Sequence, residues 1–292
     1  MYYLYFAIIW IITWLPLSVL YILSDIFYLI VYYIIPYRRK IVRKNLLNSF
    51  PEKPIEEIIR IEKKFYHYFC DIFIETMKIT HFSKKEILKR FDAGDMKMIL
   101  DFYAKGKSVI IMTSHYGNWE WGSSFSLGLP PDKPVYNIYK QLKNKEFNKL
   151  MLNLRSSFDG KNIEKKELLR KMVELRKKQG LACFALISDQ APRVINSHYW
   201  TTFLNQDTAV IDGAEQLAKK FNYPVMYYHI NRVKRGYYKC DYRLITDDPS
   251  NTKEFEITEK FIRILEEKII EEPAYWLWSH NRWRRKKGQS IK

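Results

Sequence analysis

The first 36 residues constrain this chain more tightly than anything after them. From Met1 to Pro36 the only charged side chain is Asp25, and residues 2–23 are apolar apart from Thr13, Pro16 and Ser18. A helix needs about 20 apolar residues to cross the hydrocarbon core of a bilayer, and this stretch is long enough. A cleaved leader fits poorly: no Lys or Arg precedes the apolar run, the run is too long, and no small-x-small site follows it. Arg38, Arg39, Lys40, Arg43 and Lys44 come directly after it. Positive charge at one end of a membrane segment marks the cytoplasmic side, so the remaining chain is expected in the cytosol. Pro16 removes a backbone donor and kinks a helix, which leaves both a full span and an interfacial segment open. A core helix this apolar all round would need a larger protein to surround it. The chain is therefore read as an anchor over residues 1–36 and one catalytic domain over residues 37–292.

Downstream, the periodicity changes character twice. Residues 52–79 predict an amphipathic helix, with Ile55, Ile58, Ile59, Phe65, Phe69, Ile72, Phe73 and Met77 at helical spacing and Pro54 near its start. Ser83 is placed to cap the next helix. Residues 108–113 (SVIIMT) are a short apolar run between Gly106 and Gly117 and read as a buried strand. Further strands are expected at 135–139, 181–187, 225–230 and 237–245. Helices are expected around Phe147–Leu154, at 165–178 ahead of Gly180, at 209–221 and at 253–270. Strands alternating with helices argue for an α/β sheet covered on both faces. The sequence shows no repeat, no long linker and no second composition regime.

Charge narrows the partners. Lys and Arg number 49 against 32 acidic residues, a net charge of +17, so anionic partners are expected. Nucleic acid is set aside: the sequence contains no helix-turn-helix pattern, ribonucleoprotein motif or metal knuckle, and its basic residues are scattered over helices. Two clusters, Arg38–Lys44 and the group Arg282, Arg284, Arg285, Lys286 and Lys287, read instead as contacts to an anionic lipid surface. They suit a phosphorylated acceptor or an acidic carrier protein equally well. Cys70, Cys183 and Cys240 are odd in number, far apart and without CxxC spacing, which argues against a disulfide framework or a cysteine zinc site.

The chemistry concentrates in Ser114-His115-Tyr116-Gly117-Asn118-Trp119-Glu120, directly after the buried strand at 108–113. A loop at the C-terminal edge of a sheet is where α/β proteins place reacting groups. If the loop turns back, the Glu120 carboxylate accepts from one imidazole nitrogen of His115, fixes the tautomer and leaves the other nitrogen as a base. Gly117-Asn118 forms a turn able to aim backbone N–H groups, and Tyr116, Trp119 and Trp121 offer walls for an acyl channel. No GxSxG elbow supplies a nucleophile, and Cys183 sits inside an apolar strand. No HExxH or helical ligand pair supports a metal. A His–Glu pair alone suits direct attack by a substrate hydroxyl on an activated acyl group such as a thioester. A non-enzymatic basic membrane scaffold is the competing class, and it has no use for such a pair.

With these residues in view, His115–Glu120 resembles the HxGNWE form of the HX4D/E motif of lysophospholipid-acyltransferase-like enzymes. It is nearest to the late acyltransferases of lipid A biosynthesis, the lauroyl/myristoyl transferase family. Three further blocks stand in matching order: Tyr139-Lys140 with Asn144, Asn148, Leu152 and Arg155; Ser188-Asp189-Gln190-Ala191-Pro192; and Trp278-Ser279-His280-Asn281-Arg282-Trp283. The resemblance covers roughly residues 95–287. It implies a glycerol-3-phosphate-acyltransferase-like mixed sheet covered by helices. It also implies His115 as general base with Glu120 as its partner, and Asn118, Arg155, Asp189, Gln190 and Arg282 toward substrate. The expected reaction moves a fatty acyl chain from acyl-acyl carrier protein or acyl-coenzyme A to a hydroxyl of a lipid A-type precursor at the cytoplasmic (inner) membrane, without metal or redox cofactor. Another lysolipid or aminolipid acceptor is the alternative, although the missing Glu-Gly-Thr-Arg block speaks against lysophosphatidate. One departure stands out: Phe203-Leu204-Asn205 occupies a turn where the family carries glycine, so the acyl-chain end of the pocket is expected to differ.

Overall fold

The computed structural model describes residues 2–192, 197–285 and 287; Lys286 of the C-terminal basic cluster lies outside them. The N-terminal apolar segment is broken rather than continuous. Helix α1 (Tyr2–Thr13) stops ahead of Pro16, α2 (Leu17–Leu29) restarts after it, and a π-helical turn over Ile30–Ile34 runs on without interruption. The proline lacks the N–H that a continuous helix needs. Helix α3 (Arg39–Ser49) carries the first basic cluster, and α4 (Ile55–Lys78) is the predicted amphipathic helix, burying Ile58, Phe65, Ile72 and Met77. Ser83 caps α5 (Lys84–Arg90) in a reciprocal capping box with Glu86.

The sheet has seven strands: β1 (Phe91–Asp92), β2 (Val109–Thr113), β3 (Val135–Tyr139), β4 (Lys161–Glu164), β5 (Cys183–Ile187), β8 (Val225–Lys234) and β9 (Tyr237–Thr246), in spatial order β1-β9-β8-β2-β5-β3-β4. All neighbours run parallel except the β8–β9 hairpin. Every residue of β2 is buried, as its unbroken apolar run requires of a central parallel strand. Helices α6 (Lys97–Ala104), α7 (Lys145–Arg155), α8 (Leu168–Lys177), α9 (Gly213–Phe221) and α10 (Glu256–Glu271) complete the layers around it. Two hydrophobic cores result, one on each face of the sheet: Met112, Phe184 and Tyr227 belong to the first, Ile111, Cys183 and Met226 to the second. Alternate residues of β2, β5 and β8 thus point to opposite layers.

Some elements differ from expectation. The segment 209–221 is not one helix: Ala209 and Val210 end β7 (Gln206–Val210), which pairs antiparallel with β6 (Tyr199–Phe203). Leu204 and Asn205 form the two-residue turn, both with positive φ, so the missing glycine is replaced by two left-handed residues. After the His115 loop comes a short 3-10 helix (Trp121–Gly128). Ser123 Oγ donates to the Glu120 carbonyl and Ser126 Oγ to the Ser123 carbonyl, local bonds that compete with α-helical pairing. Strands β1 and β4 are too short and polar to be read from periodicity.

Candidate active site

Strands β2 and β5 lie side by side in parallel, with Thr113 opposite Ile187. Two residues beyond each strand end stand His115 and Asp189, carried to the same edge by that register. Nδ1 of His115 lies 2.8 Å from Asp189 Oδ1, and the His115 backbone N–H donates to Oδ2 at 3.0 Å. The Trp276 indole N–H also donates to Oδ2, at 2.9 Å. Burial pushes the Asp189 carboxyl up, but the neighbouring imidazole and these donors outweigh it, so the group sits below the usual aspartate range and is a carboxylate. A carboxylate at Nδ1 fixes the proton there and leaves Nε2 as the basic nitrogen. On that side the Gln190 side-chain nitrogen is 3.3 Å away, and the Trp119 ring meets the imidazole edge-on at 5.3 Å between centroids.

This corrects the expected pairing. Glu120 does not reach His115; both carboxylate oxygens are taken by Arg155, with Nε to Oε2 at 2.8 Å and Nη2 to Oε1 at 2.6 Å. Arg155 is the last residue of α7, whose N-cap Asn144 accepts from the Phe147 N–H. Asn148, on the same helix, accepts from the Leu142 N–H and so shapes the loop between β3 and α7. The bidentate fork holds Arg155 over the site but turns its charge toward Glu120.

Asn118 and Arg282 are also placed differently. Asn118 is fully buried: its amide donates to Glu75 Oε2 at 2.7 Å, and its carbonyl accepts from the Trp121 N–H at 2.9 Å. It folds the loop and does not line the cavity. Arg282 is equally buried; Nε donates to the Asp189 carbonyl at 2.8 Å, and Nη1 to Ala209 and Thr208. It braces the Asp189 turn from behind. Of the seven candidate residues, His115, Glu120, Arg155 and Gln190 line one cavity, Asp189 supports it, and Asn118 and Arg282 lie outside its lining.

The loop itself is laced to the C-terminal segment. Tyr116 and Trp276 form an antiparallel bridge, the Leu277 N–H donates to the His115 carbonyl at 3.1 Å, and the Gly117 N–H donates to the Tyr275 carbonyl at 3.1 Å. Gly117 has φ +59°, and a Cβ there would fall 2.1 Å from the Ile230 carbonyl oxygen, so only glycine fits. Tyr68 on α4 donates to the Gly117 carbonyl from beneath. Trp276, Glu75 and Tyr68 carried no motif signal; a tryptophan two residues before the Trp278 block was the only hint of the first.

The cavity measures about 530 Å³ and opens at the C-terminal ends of β2, β3 and β5. Phe125, Ile138, Leu142, Ile187, Tyr228 and Ile230 supply its apolar wall, while Lys140, Lys143 and Arg155 supply its basic rim. The 203–205 turn is not part of that lining. All three cysteines are free and buried, and burial pushes the Cys183 thiol up, away from nucleophilic use. Among the described residues one group has metal-ligand spacing, Asp25, His67 and Asp71, but Arg232 and Arg235 already pair with its carboxylates.

A family model described as bacterial lipid A biosynthesis acyltransferase matches residues 1–285. No curated protein sequence matches the chain.

Proposed function

The chain belongs to the bacterial lipid A biosynthesis acyltransferases, and on that premise we propose that His115 is the general base of a direct acyl transfer, oriented by Asp189. The supporting observation is the 2.8 Å contact between Nδ1 and Asp189 Oδ1, which leaves Nε2 as the basic nitrogen at the cavity edge, beside the Gln190 amide. In this scheme Nε2 takes the proton of the acceptor hydroxyl as its oxygen bonds to the thioester carbonyl carbon. The tetrahedral oxyanion then collapses, the C–S bond breaks, and the imidazolium returns the proton to the departing thiolate. Asp189 stabilises the imidazolium formed in between, as the carboxylate does in hydrolase triads. The Gln190 side-chain amide, 3.3 Å from Nε2, is within reach of the developing oxyanion. No metal enters the scheme.

The cavity's composition supports the substrate class. An apolar wall suits a fatty acyl chain, and Lys140 and Lys143 at the rim suit phosphate on a glycolipid acceptor or on a carrier-protein donor. An acyl-acyl carrier protein donor, a hydroxyl acceptor on a lipid A-type precursor, and a cytoplasm-facing site on the inner membrane complete the reading. The test is turnover by detergent-solubilised full-length protein with acyl-acyl carrier protein or acyl-coenzyme A and a panel of lipid acceptors. His115→Ala is expected to abolish transfer with the fold intact; near-normal turnover would remove the mechanism. Mass spectrometry after incubation with donor alone should find no acyl-enzyme. Lipid profiles of cells with and without the gene would name the acceptor by the acyl group that disappears.

A further inference from the structure

Helix α2 and the π-turn after it present two sharply different faces. Val19, Ile22, Ile26, Leu29, Ile30 and Tyr33 are exposed along one side, at the i, i+3, i+4, i+7 spacing of a single helical stripe. The opposite side is tied to the catalytic domain by polar side chains along its whole length. Tyr21 donates to Glu75 at 2.7 Å, Ser24 to Asp71 at 2.8 Å and Tyr32 to Glu62 at 2.9 Å, all three acceptors on α4. Asp25 pairs with Arg235 at 2.5 Å and with His67 at 2.9 Å. Arg235 in turn binds Asp71, which also takes Arg232 at 2.7 Å.

We propose that residues 17–35 lie in the plane of the membrane interface, with the exposed stripe dipped into an anionic bilayer surface, and do not cross the bilayer. This deepens the membrane-anchored reading above and rests on it. Asp25 is at the midpoint of Leu17–Ile34, the one segment among the described residues that is long and apolar enough to span. In a transmembrane orientation that midpoint lies at the bilayer centre, and its partners His67 and Arg235, with Asp71 and Arg232 bonded behind them, would have to follow it there. Charged groups at that depth are costly, and α4 and the β8–β9 turn that carry them belong to the folded domain. Breaking the pairs instead would strand Asp25 at that depth and take the Tyr21, Ser24 and Tyr32 donors from the buried Glu75, Asp71 and Glu62. Lying flat satisfies every group: the polar side stays on the domain and the apolar side meets lipid. The flanks fit a charged lipid surface. Trp10, Trp14, Tyr33 and Tyr37 are exposed amphipathic rings, and Arg38, Arg39, Lys40 and Lys44 follow immediately.

The test uses full-length protein with a single environment-sensitive label on cysteine placed in turn at Ile22, Ile26, Ile30 and Tyr33. Vesicles contain phosphatidylcholine with or without phosphatidylglycerol, and lipids with nitroxides at different depths serve as quenchers. All four positions are expected at one shallow depth, about 5–10 Å below the headgroups. A profile that deepens to the bilayer centre near Ile26 and returns by Tyr33 would overturn the proposal. So would labels that shallow and deep quenchers both fail to reach. Ile22→Asn with Ile26→Asn is expected to weaken vesicle association by about tenfold or more while turnover on detergent-dispersed substrate is retained; unchanged association would also overturn it. Depth is read without turnover, and His115→Ala should bind vesicles like the parent protein, so failure of this orientation and failure of the catalytic scheme give different results.

Discussion

Asp189 holds His115 by two bonds at once, its Oδ1 2.8 Å from the ring Nδ1 and its Oδ2 accepting the histidine's own backbone N–H at 3.0 Å. One carboxylate therefore sets both the ring's tautomer and the loop's path. The same side chain receives the Trp276 indole N–H, so the imidazole is braced by a residue 74 positions later and by the C-terminal segment beyond it.

Replacing Asp189 by Asn separates geometry from tautomer. The Asn oxygen can still accept from the His115 and Trp276 N–H groups, but its NH2 then faces Nδ1 and forces the ring proton onto Nε2. The expected result is a folded protein with kcat lower by roughly 10³-fold or more, by analogy with the same exchange in hydrolase triads. Circular dichroism and thermal melting confirm the fold, and steady-state transfer measures the loss.

Glu120 is expected to behave as the partner of Arg155 and not of the histidine. Arg155→Ala leaves a carboxylate with 6% exposure unpaired and should destabilise by about 3–5 kcal/mol, whereas Arg155→Lys should lose less. In Glu120→Gln the acidic limb of the kcat/KM pH profile, which reports the base, should stay in place. A displaced limb would return Glu120 to the histidine.

Glu75 sets a pH dependence of stability. Burial raises its carboxyl from the ordinary 4.5 to about 7, against the hydrogen bonds from Tyr238 and Tyr21. Between those two values the native state holds more protons than the unfolded chain, so stability falls as pH rises from about 4.5 to about 7 and levels off above. The full swing is of order 3 kcal/mol. Glu75→Gln should flatten that slope in denaturant unfolding at a series of pH values, since a Gln amide can donate to Tyr21 while its oxygen accepts from Asn118 and Tyr238.

Gly122 stands on the cavity wall, where an added Cβ would meet the Ile230 Cδ1 atom at 2.9 Å. That contact is with the end of a flexible side chain, so Gly122→Ala should fold and narrow the acyl channel. Competition between donors of different length is expected to shift toward shorter chains by about tenfold, the discrimination one methylene can supply. An unchanged preference would place the acyl chain elsewhere.

Local chemistry made much of the molecule legible from the sequence. The unbroken apolar run of β2 announced a buried strand, the amphipathic pattern over residues 52–79 announced α4, and Ser83 announced a cap. His115, Asp189 and Arg155 all lay in blocks whose order the sequence displayed. Their pairing was not legible. Sequence proximity favoured Glu120 for His115, but the extended turn after β2 carries Glu120 toward α7, and Arg155 meets it there.

What the sequence determined by itself, then, was the alternation of strands and helices, the apolar N-terminal segment and the blocks that hold the candidate site residues, because each rests on residues within a turn or two of one another. Tertiary structure alone decided which carboxylate serves the histidine, since parallel pairing of β2 with β5 brings positions 115 and 189 to one edge. It also decided that the apolar segment has a polar side, because Tyr21, Ser24, Asp25 and Tyr32 find their partners on α4 and the β8–β9 turn, far along the chain. Hydrogen bonds and ion pairs between distant segments depend on the packing of whole elements, and no local pattern encodes them.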